Sequence, residues 1–210
     1  MDANQRTRAN PFGMDADCRN CPALCETRQR VVHGYGDVGA DFLFVGEAPT
    51  EGADQTGVPF TGDERGEQFQ DVLGRLGLNE SLPSDDRPEL ENAFVTYLAR
   101  CRHPERSPTD GEVATCEPYL NAEIRMINPE ILVPVGERAL REIAAEYTTA
   151  SAEEFEIDEV HATTIRGRGF ELVPMADPET MSDERREAFL DHFLGLMDRD
   201  YRQTKGRRGR

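Results

Sequence analysis

Asp41-Phe42-Leu43-Phe44-Val45-Gly46-Glu47-Ala48-Pro49 carries the strongest strand signal of the chain. A short apolar run closed by glycine reads as a buried strand. Residues 47–62 are too rich in Gly, Pro and Thr to prolong it and read as a long loop. Residues 67–76 have helical spacing, with Phe69, Val72, Leu73 and Leu76 on one face. Residues 93–98 form a second strand. Residues 110–127 form a helix stopped by Asn128-Pro129, because the residue before proline leaves the helical region. A third strand over 131–136 leads into a helix over 137–147, and a fourth strand covers 169–174. A last amphipathic helix over 182–201 starts on Ser182 as N-cap. Residues 22–30 read as a short helix, and the acidic stretch 151–159 stays ambiguous.

Strands alternating with helices, joined by long connections, predict a parallel sheet with helices on both faces. The expected fold is therefore a three-layer α/β/α sandwich around a parallel four-stranded sheet. It fills a single domain over 1–204, with a basic tail over 205–210. Ligands in such sheets bind beyond the carboxyl ends of the strands. That directs attention to the loops 47–62, 100–108 and 175–181.

The net charge is −17, from 41 acidic against 24 basic residues, and Lys205 is the only lysine. Carboxylates keep a surface hydrated where dense salt screens their repulsion, so a high-salt cytoplasm is expected. Basic residues gather in Arg100-Cys101-Arg102-His103-Pro104-Glu105-Arg106, in Arg166-Gly167-Arg168 and in the tail. Local patches of this kind can meet phosphate inside an acidic shell. No stretch approaches the length of a membrane span, so a cytoplasmic protein is expected.

Five cysteines, an odd number, argue against a disulfide framework. Cys18 and Cys21 form a CxxC pair, and Cys101 and Cys116 are a second, wider pair. Four thiolates suit Zn²⁺ or an iron–sulfur cluster, and the spacing does not choose between them. Cys25, one helical turn beyond Cys21, is a rival ligand. In the 47–62 loop, glycines let backbone approach a ligand closely. Its neighbourhood offers the carboxylates Glu47, Asp54 and Asp63 and the ring of Phe60. This reads as a ligand site with a general base and a stacking platform.

These motifs together resemble the iron–sulfur uracil-DNA glycosylases, families 4 and 5. Gly46-Glu47-Ala48-Pro49 looks like family 4, whereas Gly52-Ala53-Asp54-Gln55-Thr56-Gly57 and Phe60-Thr61-Gly62-Asp63-Glu64-Arg65-Gly66 look like family 5. Val31-Val32-His33-Gly34-Tyr35-Gly36, Cys101-Arg102-His103-Pro104 and Cys116-Glu117-Pro118-Tyr119-Leu120 also fit. The resemblance implies a base-flipping enzyme that hydrolyses the N-glycosidic bond of a deaminated base in DNA; a monomer is expected. It implies a structural 4Fe-4S cluster on Cys18, Cys21, Cys101 and Cys116. It gives Phe60 the place of the ring that stacks on the base, and Gly46, Ala48 and Pro49 a place around the substrate. Glu47 matches the family 4 carboxylate, and Asp63 is the family 5-like alternative.

Two positions depart from the pattern. Tyr97 stands where family 4 has an Asn that pairs with the uracil edge. Asp177, in Met175-Ala176-Asp177-Pro178, stands where a His donates to the uracil oxygen. An ionised carboxylate about 4 Å from that oxygen would cost about 4 kcal/mol at an effective dielectric near 20. That is roughly a thousandfold in rate. A protonated Asp177 would still donate, and His103 is a conceivable substitute. The alternatives to an active glycosylase are a non-cleaving iron–sulfur nucleic-acid-binding paralogue and a zinc-stabilised protein unrelated to DNA.

Overall fold

A computed structural model describes residues 7–149 and 154–199. The tail, the end of the last predicted helix and part of the acidic stretch lie outside the described residues. The chain runs α1 (Pro22–Thr27), β1 (Tyr35–Gly36), β2 (Phe42–Gly46), α2 (Glu51–Thr56), α3 (Glu64–Arg75) and β3 (Ala93–Tyr97). It continues α4 (Asp110–Ile127), β4 (Ile131–Pro134), α5 (Glu137–Tyr147), α6 (Ile157–Val160), β5 (Ile165–Arg166), β6 (Glu171–Leu172) and α7 (Asp183–Met197).

The strands form one six-stranded sheet in the order β1-β3-β2-β4-β6-β5. The four predicted strands are its parallel centre, with Phe44 level with Val95 on one side and Val133 on the other. The expected sheet is corrected at its rims, where β1 and β5 pair antiparallel. Two-residue strands carry too little periodicity to be read from sequence. The 47–62 loop is corrected too, because it contains α2, capped by the Thr50 hydroxyl accepting from the Ala53 N–H.

Successive side chains of a strand point to opposite faces, and β2 uses both. Phe42 and Phe44 pack with Phe69 and Val72 of α3 and Phe189 and Phe193 of α7. Leu43 and Val45 pack on the other face with Leu120 and Ile124 of α4 and Ala139 and Ile143 of α5. Burying each of the Phe, Leu, Ile and Val side chains among them contributes about 1.5–3 kcal/mol. Helices thus cover both faces, as the sandwich requires.

Helix ends follow local chemistry. Thr109 and Glu112 form a reciprocal capping box at the start of α4. Asn128 ends it in the left-handed conformation, φ 53°, ahead of Pro129. Asp63 caps α3 and Ser182 caps α7. Among the described residues no helix is long and apolar enough to cross a membrane.

Candidate active site and cysteine centre

After β2 the chain crosses to β3 on one side, and β4 lies on the other. Such a reversal opens a crevice at the carboxyl ends of the strands. Here the crevice holds two adjoining cavities. One, of about 540 Å³, is lined by Glu47 after β2, Gly136 after β4, Ala176 and Asp177 after β6, and Arg65 of α3. The other, of about 190 Å³, is lined by Glu47, Ala48, Pro49, Arg65, Arg102 and His103. Glu47, Arg65 and Ser107 belong to both.

Glu47 is held by its backbone, whose carbonyl accepts the Ala99 N–H at 3.0 Å. Asp63 is placed differently. Its Oδ1 accepts the Gly66 N–H at 2.9 Å and its Oδ2 accepts the Gly52 N–H at 3.1 Å. It clamps the loop to α3. The clamp needs Gly52, because a Cβ there would stand 2.3 Å from the Gly62 carbonyl carbon. Asp54 is likewise buried in structure, accepting the N–H groups of Gln29 and Arg30.

Phe60 and Tyr97 lie behind the crevice and are not among the residues lining either cavity. Phe60 is 3% exposed. One ring face stacks on Phe69 with centroids 4.0 Å apart, and Tyr97 leans on it at 4.8 Å. The Tyr97 hydroxyl accepts the Phe60 N–H at 2.8 Å, and burial pushes its phenol well above the ordinary range. Both rings abut Gly46, where a Cβ would stand 2.7 Å from Phe60 Cζ.

Asp177 is ion-paired. The Arg65 guanidinium donates through Nη2 to Asp177 Oδ2, and Asp177 Oδ1 accepts the Glu179 N–H at 3.1 Å. His103 Nδ1 accepts the Glu105 N–H at 3.2 Å. Sequence reasoning passed over Arg65, since an arginine in a first helical turn carries no signal until the fold brings α3 beside the loop after β6.

The expected basic patch at 100–106 is corrected. Arg100 is 1% exposed and forks onto Glu123 at 2.8 and 2.7 Å. Arg106 is paired with Glu112, and Arg102 lies 3.6 Å from Glu51. The run therefore presents far less positive charge than its sequence implies.

None of the five cysteines is joined in a disulfide. Burial pushes Cys21, Cys101 and Cys116 up, Cys101 to about 11, and neighbouring cysteines raise each further. Cys18 contributes to all of these shifts, so Cys18, Cys21, Cys101 and Cys116 share one electrostatic neighbourhood. Arg28 Nη1 donates to Cys101 Sγ at 3.0 Å, and its Nη2 donates to the Cys18 carbonyl. Cys25 Sγ donates to that carbonyl at 3.7 Å. Among the described residues no three His, Cys, Asp or Glu side chains form a site for a single ion. A polynuclear cluster spreads its thiolates over several irons. Four reduced cysteines with a guanidinium beside them are a donor set that fits such an anionic group.

A family profile described as uracil DNA glycosylase superfamily matches residues 33–198. With this sheet and crevice, the chain belongs to that superfamily. Among its relatives, the type-4 uracil-DNA glycosylase of Sulfurisphaera tokodaii is 35% identical over 127 residues, 60% of this chain and 53% of that protein. The type-4 uracil-DNA glycosylase of Thermotoga maritima is 36% identical over 59% of this chain and 58% of that protein. The type-5 uracil-DNA glycosylase of Thermus thermophilus is 34% identical over 152 residues, 62% of this chain and 68% of that protein. The chain spans little more than half the length of these type-4 relatives.

Proposed function

We propose that this protein hydrolyses the N-glycosidic bond of uracil, or another deaminated base, in DNA. One observation carries the reading: Glu47 stands at the end of the central strand as the carboxylate common to both cavities. The base enters flipped out of the helix, at a cost of a few kcal/mol that a mismatch lowers. The Glu47 carboxylate orients a water toward C1′ and stabilises positive charge on the sugar. Asp63 keeps the loop in shape, since both its oxygens are occupied by backbone N–H groups. Gly46, Ala48 and Pro49 bring backbone close to the base, while Phe60, expected to stack on it, stays buried behind them against Phe69 and Tyr97.

Cys18, Cys21, Cys101 and Cys116 are the residues that would hold a 4Fe-4S cluster. When bound, that group supplies a rigid link between the N-terminal segment, the loop after β3 and α4. Arg28, which donates to Cys101 Sγ, would offset its negative charge. Iron and sulfide assayed per chain should match a four-iron cluster, with both lost in Cys101→Ser and Cys116→Ser. Zinc in place of iron would overturn this assignment.

The function is tested by single-turnover cleavage in molar salt. Substrates are single- and double-stranded oligonucleotides carrying uracil, hypoxanthine or xanthine. Cleavage of at least one substrate, abolished by Glu47→Ala, is expected. Intact substrate in every case, with DNA still bound, would favour the non-cleaving paralogue. Tyr97 is the observation behind that second reading, because its ring covers part of Phe60.

A further inference from the structure

We infer that Arg65, held in place by Asp177, takes up the negative charge that develops on the departing base. This rests on the glycosylase reading above. In the hydrolysis the C1′–N1 bond breaks and its electron pair leaves with the base, spread over the ring nitrogen and the carbonyl oxygens. A water oxygen bonds to C1′, and its proton passes to Glu47. The base then leaves as an anion, or takes a proton from solvent. Such an anion needs hydrogen-bond donors opposite the carboxylate that handles the water. A lone carboxylate at position 177 would do the reverse.

The geometry points to Arg65 for three reasons. It lines both cavities, as Glu47 does. Its backbone is fixed in the first turn of α3 by the Asp63 cap, and its side chain reaches across to the loop after β6. Finally, a guanidinium carries five N–H groups and stays charged. Asp177 takes a hydrogen bond from Nη2, and the Arg65 side chain as a whole stays 26% exposed. The pair Arg65–Asp177 therefore has no net charge but keeps donors to offer. Other arginines of the crevice pair elsewhere: Arg138 with Asp110 and Glu142, Arg141 with Glu137, Arg185 with Asp158, Arg106 with Glu112, and Arg102, more loosely, with Glu51 at 3.6 Å.

Asp177 is then a positioning residue. Its own loop holds it, through the Glu179 N–H on Oδ1 and the Thr180 N–H on its backbone carbonyl at 3.1 Å. It sets the direction of the guanidinium and touches no reacting atom.

The test compares leaving groups. Single-turnover rates are measured on duplexes with uracil or 5-fluorouracil at the same site. Fluorine withdraws electrons and stabilises the base anion, so less help is needed from the protein. Arg65→Ala is expected to slow uracil release by about 10²–10³-fold, the usual effect of removing one such donor, and 5-fluorouracil release by about tenfold less. Arg65→Gln, close in size, gives the same comparison should the alanine variant fold poorly. Arg65→Lys should recover part of the rate. Asp177→Asn should slow uracil more than 5-fluorouracil, because the guanidinium loses its anchor. Equal losses on both bases would overturn the inference and leave Arg65 a structural or phosphate contact. A wild-type protein that cleaves neither of these bases, nor hypoxanthine or xanthine, would instead overturn the glycosylase reading itself.

Discussion

The Tyr97 hydroxyl accepts the Phe60 N–H at 2.8 Å while Phe60 sits at φ 56°, in the left-handed region a bulky residue seldom occupies. The hydrogen bond and the stacking on Phe69 hold this conformation together. Removing only the hydroxyl, in Tyr97→Phe, strands a buried N–H. The expected loss is about 1–3 kcal/mol, read from urea unfolding. An unchanged midpoint would show that water replaces the hydroxyl.

Tyr97→Asn has a different consequence. It uncovers part of Phe60 and places an amide, both donor and acceptor, beside Gly46. Uracil cleavage should rise relative to wild type in single-turnover assays, despite lower stability. A fall in rate at saturating protein would mean Tyr97 itself contacts the substrate.

Glu47 and Asp63 should separate cleanly. Glu47→Ala is expected to cut the cleavage rate by about 10²–10⁴-fold with little change in unfolding. Asp63→Ala removes a helix cap and should cost about 0.5–2 kcal/mol of stability. Paired denaturation and cleavage measurements on the two variants decide the assignment.

The Arg100–Glu123 pair is fully enclosed, and Glu123 also accepts from the Thr96 hydroxyl at 2.8 Å and the Gly34 N–H at 3.1 Å. Breaking it from one side, in Arg100→Met, leaves a buried carboxylate and should cost about 3–5 kcal/mol by chemical denaturation. A smaller cost would indicate that solvent reaches Glu123.

Acidification should weaken the fold. Burial is the first cause that lowers His161 and His192 below 6.5. His161 Nδ1 accepts the Ala176 N–H at 2.9 Å, which a doubly protonated ring cannot do. The folded chain thus holds these protons less tightly than the unfolded chain. Stability present above about pH 6.5 is lost as pH falls through the lowered folded values. Urea midpoints compared between about pH 8 and pH 5 should fall, and less steeply in His161→Gln.

The central strands, the major helices and the Asn128-Pro129 stop were legible because each is written in local periodicity or a breaker. So was the region of the site, since residue 46 ends a buried strand and residue 47 must emerge at its tip. The partners of the site residues were not legible. Asp177 reads as a repulsive substitution until α3 brings Arg65 to it, across 112 positions of sequence. Arg100 reads as surface charge until α4 places Glu123 against it. Such pairings depend on tertiary approach, which no short window contains.

The rims of the sheet carry one more consequence. Both outermost strands, β1 and β5, are two residues long and run against their neighbours. So short an edge offers almost no ladder of free amides and carbonyls for a second chain to extend. Strand-to-strand stacking, the common route by which open sheets clump, is thereby blunted by the architecture itself.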